Sequence, residues 1–484
     1  MPQRQCSLTG AVERFPVVTT GARWPCVREE QGPEPYFRTF PECRRDPRRN
    51  DYGSVTRWPP PFSRGGGFFP VLLLLDDGRL CCALRTGAPH AGSGSEISIT
   101  VSGDRGATWS PYRVAVRSDP DRCIDRRNPA LGQAATGDLV MAYGAILGYD
   151  AAGRRTGSAS HDQTVQGWME VVRSSDGGLT WSPPARIAPP AGTLLQPHGQ
   201  MRRLAGGDLV FNARGSYTAE VYRRTPQAAQ RVSFLFRSAD GGATWRQHGF
   251  LGDGSSETGF LPLDERHWVG LVRHNDRPNR IAHSDDGGLI WTRWQDTAAA
   301  VEPGAEGERD DSFGAGDVRT VNTRSQKPAP GSVCRLPNGS VLITCGYRAY
   351  PFGVRAVVSR DGGAGFDVAR EYVLSDSAWC HDCGYPSTVC FDDGTIVTVD
   401  YSLLDLDHPE WGTCAIAYRY DQELFEPDSG LCCPARRAGT GSSTVPQPAP
   451  LRSTQALDRD PMLPTVARPG RHGFEYYRHR ILVL

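Results

Sequence analysis

Ser174-Ser175-Asp176-Gly177-Gly178-Leu179-Thr180-Trp181 is one of five copies of the pattern Ser-x-Asp-x-Gly-x-Thr-Trp in this chain. The other copies begin at Ser102, Ser238, Ser284 and Ser359. The fourth copy has Ile290 in place of Thr, and the fifth ends in Gly365-Phe366. Small units that recur at intervals of about 45–75 residues are typical of a propeller or an array of repeats.

The residues of the pattern predict a tight turn rather than a reactive site. An Asp-x-Gly turn lets the Asp side chain accept bonds from nearby backbone N–H groups, and Gly tolerates positive φ. Ser and Thr add local bonds to the backbone, and the Trp covers the apolar side of the hairpin. We therefore interpret all five copies as structural.

A second repeat accompanies the first. Short apolar runs break at a tight turn and resume, which is typical of a β-hairpin. Six such hairpins lie at 71–80, 136–139, 204–210, 264–268, 336–342 and 391–397. In five of them the pattern above follows, so each unit is predicted to be a four-stranded blade. The sequence therefore predicts an all-β fold, a six-bladed β-propeller.

The flanking segments differ in composition from this repeated region. Residues 1–62 are predicted to be an N-terminal extension that could supply a closing strand, and residues 63–433 the propeller. Residues 434–484 are rich in Pro, Ser, Thr and Arg, and we expect a disordered tail. The stretch 301–329 is predicted to be an insertion between the fourth and fifth blades.

The overall composition excludes several classes of function. The chain has 54 basic and 54 acidic residues among 484, which argues against a general nucleic-acid or membrane-surface role. The first residues lack an apolar core, so no signal peptide is predicted and a cytoplasmic location is the default expectation. The apolar run 68–75 is too short to span a bilayer. The sequence carries no signal of oligomeric state.

The 14 cysteines predict neither a metal site nor a disulfide framework. Cys380-x-x-Cys383 has no second ligand pair at a zinc-like spacing. Without a secretion signal, free thiols that behave as small apolar residues are expected. We therefore predict no metal and no cofactor.

Taken together, the turn pattern and the six hairpins resemble the sialidase (neuraminidase) superfamily, in which the pattern is called the Asp box or BNR repeat. The similarity covers roughly residues 63–420. It implies a glycoside hydrolase with a tyrosine nucleophile, a glutamate that activates it, three arginines that hold a substrate carboxylate, and an aspartate as acid/base. Arg suits this task because its planar fork matches a carboxylate. The expected partner is thus a glycan or glycoconjugate that carries a carboxylate.

Two segments match this resemblance well. The first runs from Glu257 through an apolar hairpin to Arg273, and it implies that Glu257 is the base and Arg273 a carboxylate ligand. The second is Gly384-Tyr385-Pro386-Ser387, which implies that Tyr385 is the nucleophile. A Tyr needs such a base because its unperturbed pKa is near 10.

The remaining positions of the resemblance are matched less directly. Arg348 is preferred over Arg355 as a further carboxylate ligand, because it lies in a loop-like, aromatic-flanked stretch. Phe68 stands where the family has its first arginine, and Arg85 could replace part of that function. His90 stands about where the acid/base aspartate is expected, and a histidine can do this work near neutral pH.

Further candidates lie at the starts of blades, where innermost strands begin at the mouth of the channel. Asp125 is the alternative acid/base. Arg126 and His198 are predicted to contact the substrate, whereas Asn128 is interpreted as a strand starter.

The leading hypothesis is a sialidase-like exo-glycosidase that cleaves a terminal anionic sugar with retention of configuration. A uronic-acid lyase using His90 or His198 with Tyr385 is the first alternative. A non-catalytic propeller that binds glycans or proteins is the second.

Overall fold

The protein is nearly all β. Its structure, a computed structural model, describes residues 4–19, 66–87, 95–119, 124–147, 167–187, 192–217, 231–253, 255–274, 279–296, 329–348, 352–378, 383–403, 405–412 and 414–426. Within these ranges the only helical segments are two 3-10 helices, Pro409–Trp411 and Gln422–Phe425. The predicted all-β class is confirmed.

The strands fall into an N-terminal pair and six consecutive groups. The pair is β1 (Arg4–Ser7) and β2 (Glu13–Thr19). The first group is β3 (Gly66–Leu74), β4 (Leu80–Thr86), β5 (Glu96–Ser102) and β6 (Arg113–Val116). The second is β7 (Asp125–Gln133), β8 (Leu139–Ile146), β9 (Gly167–Ser174) and β10 (Ala185–Ile187). The third is β11 (Gly192–Arg203), β12 (Leu209–Tyr217), β13 (Arg231–Ser238) and β14 (Arg246–Asp253).

The other three groups follow in the same way. The fourth is β15 (Ser255–Pro262), β16 (Trp268–His274), β17 (Arg280–Ser284) and β18 (Thr292–Asp296). The fifth is β19 (Gly331–Arg335), β20 (Val341–Tyr347), β21 (Phe352–Ser359) and β22 (Arg370–Ala378). The sixth is β23 (Ser387–Cys390), β24 (Thr395–Ser402) and β25 (Cys414–Asp421).

Within each group, consecutive strands pair antiparallel. The two N-terminal strands join groups that lie far away in sequence: β2 pairs antiparallel with β25, and β1 pairs parallel with β22. These pairings make five hydrogen-bonded sheets among the described strands. One of the sheets has eight strands, because β7 and β11 pair in parallel at Gly199↔Ala130 and Gln200↔Leu131.

Apolar clusters hold neighbouring groups together around a ring. One cluster lies between β3–β6 and β7–β9 and contains Ile99 and Met141. Another contains Leu84 and Val397 and joins the last group back to the first. The sheet arrangement is therefore propeller-like and closes on itself, which leaves only short sheet edges.

The Asp boxes are held by bonds between close neighbours in sequence. In the second copy, Ser174 Oγ donates to Asp176 Oδ1 (2.7 Å) and accepts from the N–H of Gly178 (2.8 Å). Thr180 donates both its N–H (2.9 Å) and its hydroxyl (2.5 Å) to Asp176. The first and third copies repeat these bonds. Each box is thus a self-contained turn whose carboxylate is occupied locally.

The innermost strands are bulged where they approach the centre of the ring. Phe69 in β3 and Asn128 in β7 have positive φ values of 52° and 51°, and both lie at register shifts. Gly199 in β11, with a φ of 73°, lies at a similar shift. A β-bulge changes the direction in which the neighbouring side chains point. A phenylalanine in the left-handed region of φ is also strained. These strands therefore turn their residues toward one central site.

Candidate functional site

Tyr385 lies in an irregular segment just before β23. Gly384, with a φ of 84°, precedes it, and a Cβ at Gly384 would lie only 2.6 Å from Gly346 Cα. Pro386 follows and fixes its own φ. The side chain of Tyr385 is buried, with 7% of its surface exposed. The local sequence therefore sets the ring in one position between a glycine and a proline.

The phenol group of Tyr385 meets the two residues of the Glu-to-Arg hairpin. Its hydroxyl donates to Glu257 Oε1 at 3.1 Å. Arg273 Nη1 donates to Glu257 Oε2 at 2.9 Å and to the Tyr385 oxygen at 3.3 Å. Glu257 is at the start of β15 and Arg273 near the end of β16, so the antiparallel pairing brings both ends together. The three residues form one hydrogen-bonded triad.

A second arginine and a serine complete the surroundings of Glu257. Arg214 Nε lies 2.9 Å from Glu257 Oε1, and Ser256 donates its hydroxyl to Oε2 at 2.6 Å. Burial alone would raise the pKa of this carboxyl, but Arg214 and Arg273 hold the pKa of Glu257 well below its ordinary value. Glu257 is therefore a buried carboxylate that stays ionised and can accept a proton from Tyr385.

Tyr385 itself is neutral at physiological pH. Burial raises its pKa, and the negative charge of Glu257 raises it further, while Arg273 and Arg348 act in the opposite direction. Arg348 lies over the tyrosine ring at 5.5 Å and donates its Nε to the carbonyl of Cys383 at 2.9 Å. The site thus places several guanidinium groups around one phenol.

His198 lies against the edge of the Tyr385 ring, with 5.8 Å between the ring centroids. Burial lowers the pKa of His198 to about 4, and the neighbouring Glu257 and the carbonyl of Gly331 only partly offset that effect. His198 is therefore a neutral imidazole at pH 7. It is able to accept or donate a hydrogen bond but contributes no charge.

Beside this triad, a small cavity opens among the innermost strands. Its lining includes Phe69, Asn128, His198, Thr258 and Tyr385. Phe69 packs edge-on against the Tyr385 ring at 4.9 Å. The cavity volume is about 20 Å³, which is enough for one water molecule. Aromatic and polar side chains from four strand groups therefore converge on Tyr385.

Asp125 and Arg85 form a separate buried cluster. Both have no exposed side-chain surface, and Arg85 Nη2 lies 2.9 Å from Asp125 Oδ1. Arg127 bonds to the other carboxylate oxygen, and Ser95 donates to Oδ1 at 3.0 Å. Although burial favours the neutral acid, these arginines hold the pKa of Asp125 far below its usual range. In this arrangement both oxygens of Asp125 are engaged within the protein.

The backbone of Arg126 bonds to Arg85 and Ser95 of that cluster, but its side chain has different neighbours. It interacts with the hydroxyl of Tyr143, which in turn donates to Glu170 at 2.7 Å. Two nitrogen atoms of that side chain, Nε and Nη1, are buried and have no hydrogen-bond partner among the described residues. The structure gives no contact between Arg126 and Tyr385.

The predicted site residues thus divide into two sets and one exception. The first set comprises Glu257, Arg273, Tyr385, Arg348 and His198, which lie together. The second comprises Arg85, Asp125 and Arg126. His90, the predicted acid/base, lies outside the described residues. The roles assigned to these residues stay predictions.

Two charged residues of the site were not predicted from the sequence, and one of them carries a readable signal. Arg214 follows the turn residue Gly207 by seven positions, just as Arg85 follows Gly78. This offset places Arg214 in β12 at the position that corresponds to Arg85 in β4, each being the second strand of its hairpin. The other missed residue is Asp400, which accepts the N–H of Tyr385 at 2.6 Å.

Two further features are absent from the described part of the chain. No group of three or more His, Cys, Asp or Glu side chains there is placed to hold a metal ion. No helix among those residues is long and apolar enough to cross a membrane.

Comparison with known proteins is consistent with this geometry. A family model described as a BNR repeat-like domain matches residues 119–398. A sequence search against curated proteins finds no significant match.

Solved structures with this fold include sialidases. A protein of unknown function from Dyadobacter fermentans is 20% identical, with a TM-score of 0.56, and the match covers 74% of this chain and 95% of that one. A Hadza microbial sialidase is 17% identical, with a TM-score of 0.53, over 74% of this chain and 66% of that one. Trypanosoma rangeli sialidase with 2,3-difluorosialic acid, described as a covalent intermediate, is 14% identical, with a TM-score of 0.52. This match covers 73% of this chain and 54% of that one. The chain thus spans about two thirds of the length of the Hadza sialidase and about half of the length of the Trypanosoma rangeli sialidase.

Proposed function

This chain belongs to the family of BNR repeat-like domain proteins, and we propose that it is a sialidase-like exo-glycosidase that removes a terminal anionic sugar, sialic acid or a similar one. A single observation carries the proposal. The Tyr385 hydroxyl donates to Glu257 at 3.1 Å while Arg273 bonds to both residues. A phenol bonded to an ionised carboxylate is an activated nucleophile, with the third group orienting the pair.

In the proposed mechanism, Tyr385 attacks the anomeric carbon and Glu257 takes its proton. The leaving alcohol departs with a proton from an acid, and a glycosyl-tyrosine intermediate forms. Water then attacks the same carbon and gives a proton to the conjugate base of the acid, the C–O bond to Tyr385 breaks, and the proton returns from Glu257 to the phenolate. Two displacements at one carbon give net retention of configuration.

The charge around Tyr385 favours an anionic sugar. Three guanidinium groups, those of Arg214, Arg273 and Arg348, act on Tyr385, against one carboxylate from Glu257. The excess positive charge suits a substrate carboxylate, which a guanidinium binds as a planar fork. We assign Arg273 and Arg348 to this contact. Arg126 is assigned a further contact with the substrate, whereas Arg85 is fully buried and is assigned the role of holding Asp125.

The proposed acid is His90 rather than Asp125. A general acid must carry a proton near neutral pH. The arginines that surround Asp125 keep it ionised, so it is poorly suited to donate a proton. A histidine holds and releases a proton near neutral pH without a large shift.

We also propose that the ring has six blades. The eight-stranded sheet consists of two antiparallel groups, β7–β10 and β11–β14, joined through only two residue pairs of their innermost strands. Counting each group as one blade gives six around the ring. Separate apolar clusters on either side of each group support this count.

The proposal is tested by turnover of a fluorogenic α-sialoside and by covalent labelling with 2,3-difluorosialic acid. We expect hydrolysis by the full chain and an adduct that peptide mass spectrometry locates on Tyr385. Tyr385→Phe should abolish both, whereas Tyr401→Phe, the same change on a neighbouring ring 5.8 Å away, should retain both. A folded protein with neither turnover nor adduct would overturn a sialidase function.

A uronic-acid lyase is the second candidate, and His198 favours it. A neutral imidazole in contact with Tyr385 could abstract a proton next to the substrate carboxylate while the phenol donates one to the leaving oxygen. Such a reaction yields an unsaturated product that absorbs ultraviolet light. Absorbance growth on uronic-acid glycans, lost in His198→Gln, would favour the lyase. Binding of either glycan without turnover would favour a non-catalytic propeller.

A further inference from the structure

The backbone around Tyr385 has a gap in its strand pairing. The β23–β24 ladder ends at Ser387↔Val399, and an isolated bridge joins Cys383 to Ser402. Between these points, three residues on one side face two on the other, so the ladder cannot satisfy every backbone group. Pro386 has no N–H and so donates nothing to the ladder. The N–H of Tyr385 lies within the gap and is buried, so it needs an acceptor from elsewhere.

Asp400 supplies that acceptor from within the gap. Its carboxylate accepts the Tyr385 N–H at 2.6 Å. Beside that bond, the N–H of Gly384 donates to the carbonyl of Tyr401 at 3.4 Å, so the two edges of the gap stay close together. A buried N–H left without a partner is costly, so this bond matters for the local conformation.

We propose that Asp400 is a positioning residue that holds Tyr385 against Glu257 through the backbone N–H of Tyr385. Its role as an aid to the nucleophile rests on the proposed function, but its effect on the placement of Tyr385 does not. Only 2% of the surface of Asp400 is exposed. It does not touch the reacting atoms, and it acts through the segment that carries the ring.

Protonation of Asp400 would weaken the hydrogen bond that it accepts from the N–H of Tyr385. Burial raises the pKa of Asp400 to about 7, although the nearby backbone N–H groups and the charge of Arg348 act in the opposite direction. Among the described residues, the charged or titratable side chains that interact with it are those of Arg348, Cys414 and Tyr418. Above pH 7 the carboxylate is ionised, and N–H bonds to an ionised acceptor are the stronger ones. The segment should therefore be held more firmly as the pH rises through 7.

The test uses the full chain labelled with 3-fluorotyrosine and observed by fluorine NMR, with the Tyr385 signal assigned by its absence in Tyr385→Phe. We expect the wild-type signal to shift with a midpoint near pH 7. Asp400→Asn keeps an acceptor oxygen without charge, so it should keep a single Tyr385 signal that no longer titrates there. Asp400→Ala should move or broaden the signal. A matched control is Asp405→Ala, which removes another buried carboxylate, one bonded to Ser377 rather than to Tyr385.

Labelling of Tyr385 by 2,3-difluorosialic acid provides a second measurement. We expect Asp400→Ala to react about tenfold or more slowly than Asp400→Asn, because misplacing a reacting group is costly. If wild type does not react at all, the sialidase proposal fails, while the fluorine signal still tests the positioning role. A folded Asp400→Ala whose Tyr385 signal matches wild type at every pH would overturn that role. So would a wild-type signal that titrates unchanged in Asp400→Asn.

Discussion

The hydroxyl of Tyr385 and the carboxylate of Glu257 are 3.1 Å apart, although 128 positions separate the two residues in the sequence. The ring of sheets brings them together: Glu257 comes from the fourth strand group, and Tyr385 precedes the sixth. The carboxylate is ionised and the phenol is neutral, so the proton is on the group that must lose it.

Removing the charge of Glu257 should affect rate and stability together. We expect Glu257→Gln to lower kcat by roughly 10²- to 10⁴-fold, the range of general-base catalysis. It should also lower Tm, because Arg214 and Arg273 would then face each other without their shared counter-ion. Steady-state kinetics on a fluorogenic sialoside and thermal denaturation measure the two effects.

Glu371→Gln is the matched control for that substitution. Glu371 is also fully buried and paired with an arginine, Arg355, at 3.4 Å, but within the fifth strand group. It should lower Tm while leaving kcat near the wild-type value. Equal losses of kcat in the two variants would show that Glu257 acts only through stability.

Arg214 should tune the acid limb of the pH–rate profile. Its guanidinium is one of the two that hold the pKa of Glu257 down. In Arg214→Gln that support is lost, so the pKa of Glu257 rises and the acid limb of kcat/KM moves to higher pH. Arg214→Lys keeps a positive charge and should move the limb less. The measurement is kcat/KM between pH 3 and 8.

Arg237→Gln serves as the control for Arg214. It also breaks a bond from an arginine Nε to a carboxylate, that of Asp208 at 2.6 Å, but away from Tyr385. The acid limb should stay in place. If Arg214→Gln also leaves it in place, Arg214 does not set the ionisation of Glu257.

The parts of the fold that depend on local sequence are the ones that could be predicted. An Asp box closes through bonds that span two to four residues, as between Asp176 and Thr180, so its eight residues carry all the information needed. The pairing of β2 with β25 joins residues about 400 positions apart, such as Glu13 and Arg419. No local pattern in β2 selects that partner.

The site shows the same division. Tyr385, Glu257 and Arg273 lie in segments that resemble a known family, so their meeting was expected. Asp400 matters because Gly384 and Pro386 interrupt a ladder, which only the paired strands reveal. Likewise, Asp125 can be assessed only together with Arg85, which comes from a different strand group and closes on it in space.

His198 should make the protein less stable in mild acid. Its pKa is near 6.5 in the unfolded chain and about 4 in the folded protein, where burial disfavours the charged form. As the pH falls, the unfolded state therefore binds a proton on His198 before the folded state does. The contribution of neutral His198 to the free energy of unfolding is lost as pH falls from 6.5 toward 4. The expected slope approaches 1.4 kcal/mol per pH unit. Denaturant unfolding at several pH values measures it.

His198→Gln removes this titration and should flatten the stability profile between pH 4 and 6.5. His267→Gln is the control, because His267 is on a surface turn, where Asp264 is its partner. A wild-type profile that His198→Gln leaves unchanged would show that His198 does not titrate with a lowered pKa.

The fourth Asp box should gain stability when its missing hydroxyl is restored. In three other copies, a Thr hydroxyl donates to the box Asp at 2.5–2.6 Å. Ile290 occupies that position in the fourth copy and is 63% exposed, so little apolar burial is lost on its replacement. Ile290→Thr should add a bond to Asp286 and stabilise the fold by about 1 kcal/mol, with Thr180→Ile losing a similar amount. Equilibrium unfolding of both variants measures the change, and a destabilised Ile290→Thr would mean that the exposed Ile makes contacts that outweigh the bond.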